Sequence, residues 1–197
     1  MTDSGFSLAE QRVLVTGASS GIGAAIASRL ANAGATVVVV SRSGGVPESK
    51  GTMYSLVADL SEPEEIDTVI ERTVDMLGGL DVLVNNAGRG DTMPFGELDQ
   101  EYFNAYLGLN LWAPLRLCQH AYEYLAQSSN PSVIMIGSVD AERPSPGSVV
   151  YGATKGALGA ATVALSKEWM NAGIRVNQVN PGPVSYTHLT LPTKRIV

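Results

Sequence analysis

The chain has 197 residues, 45% of them hydrophobic and 16% charged, with a formal net charge of −6 at pH 7. That length and balance fit one globular domain with a sizeable core and exclude a disordered polypeptide. The acidic balance argues against a nucleic-acid partner, whose binding rests on neutralising phosphates, and the single cysteine, Cys118, excludes an internal disulfide.

In chain order, RVLVT at 12–16 is a short apolar run that reads as a buried strand, and the helical spacing of Ile22, Ile26 and Leu30 predicts a helix over 21–33, with Gly34 as its stop. β-Branched runs predict strands over 36–40 and 53–58. Ser61-Glu62-Pro63-Glu64 fits a capping box with proline in the first turn, opening a helix that stops at Gly78-Gly79. A strand follows over 80–84. The stretch 102–126 is helical in pattern, with Pro114 expected to kink or interrupt it. A strand over 132–136, a helix over 151–170 capped near Gly173, and a strand over 174–179 complete the series. Strands that alternate with helices imply a parallel sheet covered on both faces, a doubly wound α/β fold of Rossmann type. Nothing divides 1–183, which reads as one domain. The N-terminal residues show no basic segment before an apolar run, and runs such as TVVVV are too short to span a bilayer, so a cytoplasmic protein without a membrane partner is expected.

Between the first strand and the first helix stands TGASSGIG, with Gly17, Ser19, Ser20, Gly21, Ile22 and Gly23 as candidate cofactor contacts. Glycines there permit a tight turn and close backbone approach, and the helix N-terminus presents unpaired N–H groups to a phosphate. The second strand ends in Ser41-Arg42 with no carboxylate nearby. An acidic residue at that place would hold the ribose hydroxyl of NAD, whereas an arginine can pair with a 2′-phosphate. NADP is therefore the expected cofactor, with NAD as the alternative. No grouping of Cys, His and Asp has metal-ligand spacing, so no metal is expected. His120 has no evident partner and reads as a structural or surface histidine.

Tyr151 and Lys155 form Y-x-x-x-K, a spacing that places both on one helix face. Ser138 closes the preceding strand, Asn110 lies in the helical stretch before that, and Asn86-Ala87-Gly88 ends the fourth strand. A phenol holds its proton up to about pH 10 in water, and a nearby ammonium favours the phenolate.

With TGASSGIG, Asp59-Leu60, NNAG, Asn110, Ser138, YGATK and NPGP in this order, the sequence resembles a classical short-chain dehydrogenase/reductase over about 11–183. The resemblance implies hydride transfer between a nicotinamide and a small-molecule carbonyl or secondary alcohol, with Tyr151 as general acid or base. It implies that Lys155 holds the nicotinamide ribose, that Ser138 bonds the substrate oxygen, and that Asn110 supports a water-linked proton path to Lys155. It places Asp59, otherwise a cap for the helix after Ser61, and Leu60 at the adenine, has Asn86 stabilise the central sheet near the cofactor with Ala87 and Gly88 beside it, and sets Pro181 and Gly182 beside the nicotinamide amide. A 3-oxoacyl thioester, a sugar or a steroid alcohol all fall within its range of substrates. A homodimer or homotetramer is implied for the complete protein, and the small-residue helix beginning at Tyr151 permits close packing.

The family pattern continues past NPGPV into a lid, a helix and a seventh strand. Here NPGP runs into VSYTHLTLPT, which reads as the translation of a transposase sequencing adapter, Val184 fitting both patterns, so 184–197 is expected to be a non-native tail on a C-terminally truncated domain. Two other readings follow: an inactive fragment, or a regulator that senses dinucleotide without turnover.

Overall fold

The computed structural model describes residues 7–182, so the segment 184–197 read as a non-native tail lies outside the described residues. Six parallel strands form one sheet in the order β3-β2-β1-β4-β5-β6. They are β1 (Arg12–Thr16), β2 (Thr36–Ser41), β3 (Met53–Val57), β4 (Val82–Asn85), β5 (Ser132–Ile136) and β6 (Arg175–Val179). The long helices are α1 (Gly21–Asn32), α2 (Pro63–Leu77), α3 (Gln100–Leu107), α4 (Ala113–Leu125) and α5 (Val149–Glu168). The chain grows outward from β1 through β2 to β3, then returns to place β4 on the other side of β1. This reversal opens a crevice above the carboxyl ends of β1 and β4, where ligands of such sheets bind.

Side chains of successive strand residues leave opposite faces of the sheet. Val13, Val15, Val37 and Val39 turn to the face covered by α1, whose buried Ala27 and Ala31 let it lie close. Leu14, Val38 and Val40 turn to the other face, against Ile66 and Ile70 of α2, Leu117 and Ala121 of α4 and Leu158 of α5. Both faces are buried, which is why the strands read as unbroken apolar runs. Cys118 lies in this second layer, 1% exposed. Burial pushes its thiol up to about 12, against the bond that the Asn85 side-chain amide donates to its sulfur.

At the end of the sheet away from the crevice, Asp81 ties β1 to the entry of β4. It accepts from the Arg12 backbone N at 2.8 Å, from Arg12 Nε at 2.9 Å and Nη2 at 2.8 Å, and from Ser128 Oγ at 2.6 Å. Burial alone would raise the Asp81 carboxyl, but the bonds from Arg12 and Ser128 outweigh it and hold it at about 2.

Two local expectations are corrected. The capping box does not form: Glu62 rather than Ser61 is the N-cap of α2, and it makes no side-chain cap bond. Glu65 reaches back instead to the Asp59 N–H at 2.8 Å, while Asp59 Oδ1 accepts from Ser61 N at 2.9 Å. The stretch 102–126 is interrupted as expected, but by a π-helical turn at Gly108–Trp112 placed ahead of Pro114, which sits in the first turn of α4. His120 gains a partner that the sequence did not show, Asp67 of α2 at 3.0 Å, which also binds Arg116 Nε at 2.7 Å.

Candidate active site

The glycine loop leaves β1 at Gly17, where φ is +63°. A Cβ there would stand 2.7 Å from Ala87 Cα, so loop and β4 exit touch backbone to backbone. Thr16 and Asn86 fasten the two. Thr16 Oγ1 accepts from Asn86 N at 2.9 Å and Ala87 N at 3.0 Å, and the Asn86 side-chain amide donates to the carbonyls of Thr16 at 2.9 Å and Gly17 at 3.0 Å. The same amide and the Gly17 carbonyl fill the place of a Cβ at Gly23. At the start of α1, the Ser20 side chain makes no cap bond and the first turn holds no acidic residue. The helix end is thus open to an anion.

Two adjoining clefts follow the crevice. The first, about 530 Å³, runs from Gly17 and Ser19 past Ser41 and Arg42 to Asp59, Leu60 and Ala87. At its margin Ser19, Arg42 and Ser43 line a shallow recess. The second, about 350 Å³, brings the α1 start (Ser20, Gly21, Ile22, Gly23) and Asn86 and Gly88 to face Ser138, Tyr151 and Lys155. Pro181 and Gly182 close its far side, and the Pro181 carbonyl accepts from Val139 N at 3.1 Å. Every residue anticipated as a cofactor contact lines one of these clefts.

Ser138 lies two residues past the end of β5, and its Oγ accepts from Asp140 N at 3.1 Å, which leaves its O–H free to donate. Tyr151 and Lys155 lie one turn apart on α5, with the ammonium 5.9 Å from the centre of the Tyr151 ring. Lys155 Nζ donates to the Ile136 carbonyl at 2.7 Å, and burial lowers its pKa to about 8. Asn110 does not line the cleft. It lies in the π turn behind Gly88, where a Cβ on Gly88 would meet Asn110 Oδ1 at 3.0 Å and Lys155 Nζ at 3.6 Å. Its side chain bonds the Arg89 backbone twice, accepting from N and donating to O at 2.9 Å each.

Sequence reasoning missed Thr16, Arg89 and Gly90. The last two follow NNAG directly, and their position was the one signal on offer. Among the described residues no group of three His, Cys, Asp or Glu is placed to hold a metal, and no helix is long and apolar enough to cross a membrane.

The chain as a whole resembles known proteins. Residues 11–195 match the family model for short chain dehydrogenases, and the chain belongs to that family. It is 33% identical to an uncharacterised oxidoreductase of Staphylococcus epidermidis over 180 residues, covering 89% of this chain and 78% of that protein. It is 37% identical to a ketoacyl reductase assigned to the granaticin polyketide synthase of Streptomyces violaceoruber, covering 86% of this chain and 71% of that one. The crystal structure of a short chain dehydrogenase from Burkholderia cenocepacia in complex with NADP superposes with a TM-score of 0.83 at 33% identity, covering 90% of this chain and 76% of that one. The protein is therefore an oxidoreductase of the short-chain class that uses a nicotinamide cofactor.

Proposed function

We propose that the protein reduces a small-molecule carbonyl, or oxidises the matching secondary alcohol, with NADP as preferred cofactor and Tyr151 as proton donor or acceptor. The observation that carries this reading is the convergence of Ser138, Tyr151 and Lys155 on one cleft that continues into the glycine loop.

The residues fit the cofactor. The uncapped start of α1, with Ser20, Gly21, Ile22 and Gly23, would hold the pyrophosphate, and Gly17 and Gly23 leave no room for a side chain in its cradle. Arg42, flanked by Ser19 and Ser43, would pair with a 2′-phosphate. Asp59 and Leu60 would flank the adenine, Asn86, Ala87 and Gly88 the ribose side, and Pro181 and Gly182 the amide. When bound, the nicotinamide supplies or takes the hydride.

The chain supplies the rest. The Ser138 hydroxyl donates to the substrate oxygen and aligns it. In reduction the Tyr151 O–H bond breaks, its proton passes to that oxygen, and the phenolate remains. The Lys155 ammonium favours the phenolate and binds the nicotinamide ribose hydroxyls. Asn110 keeps the Arg89 backbone in place and supports the water-linked path that returns a proton through Lys155.

The test is Tyr151→Phe, assayed with NADPH and NADH on a carbonyl panel that includes 3-oxoacyl thioesters, since the Streptomyces relative is named for ketoacyl reduction. Turnover should fall by about a hundredfold to ten-thousandfold while dinucleotide binding persists. Full activity in Tyr151→Phe would refute the mechanism. Dinucleotide binding without turnover in the parent would favour a sensing role.

A further inference from the structure

Gly90 has no conformational need to be glycine, because it is not among the residues with positive φ. Packing within the chain does not demand glycine there either. A Cβ at position 90 would lie 3.6 Å from Tyr151 Cε2, 3.7 Å from Cζ and 4.0 Å from the hydroxyl oxygen. These are ordinary contact distances, so a Cβ would fit and would rest against the phenol. A substrate oxygen must come within about 3 Å of that hydroxyl to receive its proton, so the groups on the reacting carbon pass beside position 90.

The backbone on either side of Gly90 is pinned from behind. The Asn110 side chain holds both the N–H and the carbonyl of Arg89. The Asp91 carbonyl accepts two phenol hydroxyls, from Tyr106 at 2.6 Å and from Tyr102 at 3.1 Å. The Arg89 guanidinium covers both rings, 4.8 Å from the centre of Tyr106 and 5.4 Å from that of Tyr102, and pairs with the Asp91 carboxylate at 3.1 Å. Tyr106 is fully buried, and its ring meets that of Tyr151 edge-on, at 6.4 Å between centres and 76° between planes. These bonds oppose a retreat of the loop when a larger group arrives.

We propose that Gly90 is a specificity-determining position, and that Tyr102 and Tyr106 are positioning residues that fix its backbone as one wall of the substrate pocket. The bare backbone at 90 leaves room for a bulky group, cyclic or aryl, on the carbonyl carbon. The proposal rests on Tyr151 being the proton donor.

The experiment measures kcat/KM with NADPH for acetone, cyclohexanone and acetophenone in the parent, in Gly90→Val, and in Gly90→Val combined with Tyr102→Phe and Tyr106→Phe. Gly90→Val should lower kcat/KM for acetophenone relative to acetone by about tenfold or more, with NADPH affinity unchanged. In the double-phenylalanine background the Asp91 carbonyl loses both phenol donors, the stretch after Gly90 is freer to yield, and that size penalty should shrink. Gly90→Ala, the milder change, should shift selectivity in the same direction by less. An equal loss on all three ketones would overturn the specificity role. A size penalty unaltered by the phenylalanines would overturn the positioning role. Full turnover in Tyr151→Phe would instead overturn the reading of the site on which the proposal rests.

Discussion

Replacing Lys155 with methionine removes an ammonium from a place only 5% exposed, where its Nζ bonds the Ile136 carbonyl and burial brings its pKa from 10.5 down to about 8. A depression of about 2.5 units corresponds to about 3 kcal/mol of differential stability at about 1.36 kcal/mol per unit. The sign follows from which state holds the proton. Below about pH 8 both folded and unfolded chains carry it, and the folded chain bears the full cost of burying a charge. Between about 8 and 10.5 the folded lysine is neutral while the unfolded one remains charged, so stability rises with pH. Methionine has no proton to exchange. The stability of the parent minus that of Lys155→Met should therefore climb by about 3 kcal/mol from pH 7 to pH 10.5. The bond to Ile136 offsets the two curves without giving them this slope. Urea unfolding of both proteins, free of dinucleotide, at intervals across that range measures the difference. A flat or falling difference would show that Lys155 is not desolvated as described.

Arg42→Leu should reduce the preference for NADPH over NADH by about tenfold or more, the worth of a charge-assisted bond, as read from the ratio of kcat/KM for the two cofactors. Equal preference before and after would remove Arg42 from cofactor choice. Gly17→Ala forces a side chain into left-handed backbone and against Ala87 Cα. A loss of about 2 kcal/mol in stability is expected, with dinucleotide binding abolished in a fluorescence titration; binding at parental affinity would contradict the close packing of the loop. Asp81→Asn should cost about 2 kcal/mol near neutral pH. Because the folded carboxyl sits low, that contribution is present above about pH 4 and fades as pH falls through about 2. Acid titration of the melting temperatures of the two proteins should show the gap closing.

The alternation of apolar runs and helical periods made the parallel sheet legible, because β1, β2 and β4 are buried on both faces and admit little else. The glycine loop and the Tyr151–Lys155 pair were legible for a related reason: each lies within a few residues of chain, where local geometry sets spacing. What stayed hidden depends on partners far away in sequence. Arg12 and Asp81 are 69 positions apart, and nothing in either neighbourhood announces the other. The capping box fitted its pattern, yet the Ser61 N–H is taken by Asp59 Oδ1 and Glu65 bonds the Asp59 N–H instead. The π turn at Asn110 has no sequence signature, since it accompanies a side chain committed to the Arg89 backbone from another element.

The lone, deeply packed Cys118 gives the molecule a built-in reporter. Thiol reagents attack the thiolate, and this sulfur is both enclosed and held protonated up to about pH 12. Modification must therefore wait until α4 parts from the sheet. Its rate counts openings of the layer beneath the clefts, at one site and without any engineered label. A bound dinucleotide that bridges β1, β2 and β4 should slow that clock in proportion to its occupancy, giving a measure of binding that requires no turnover at all.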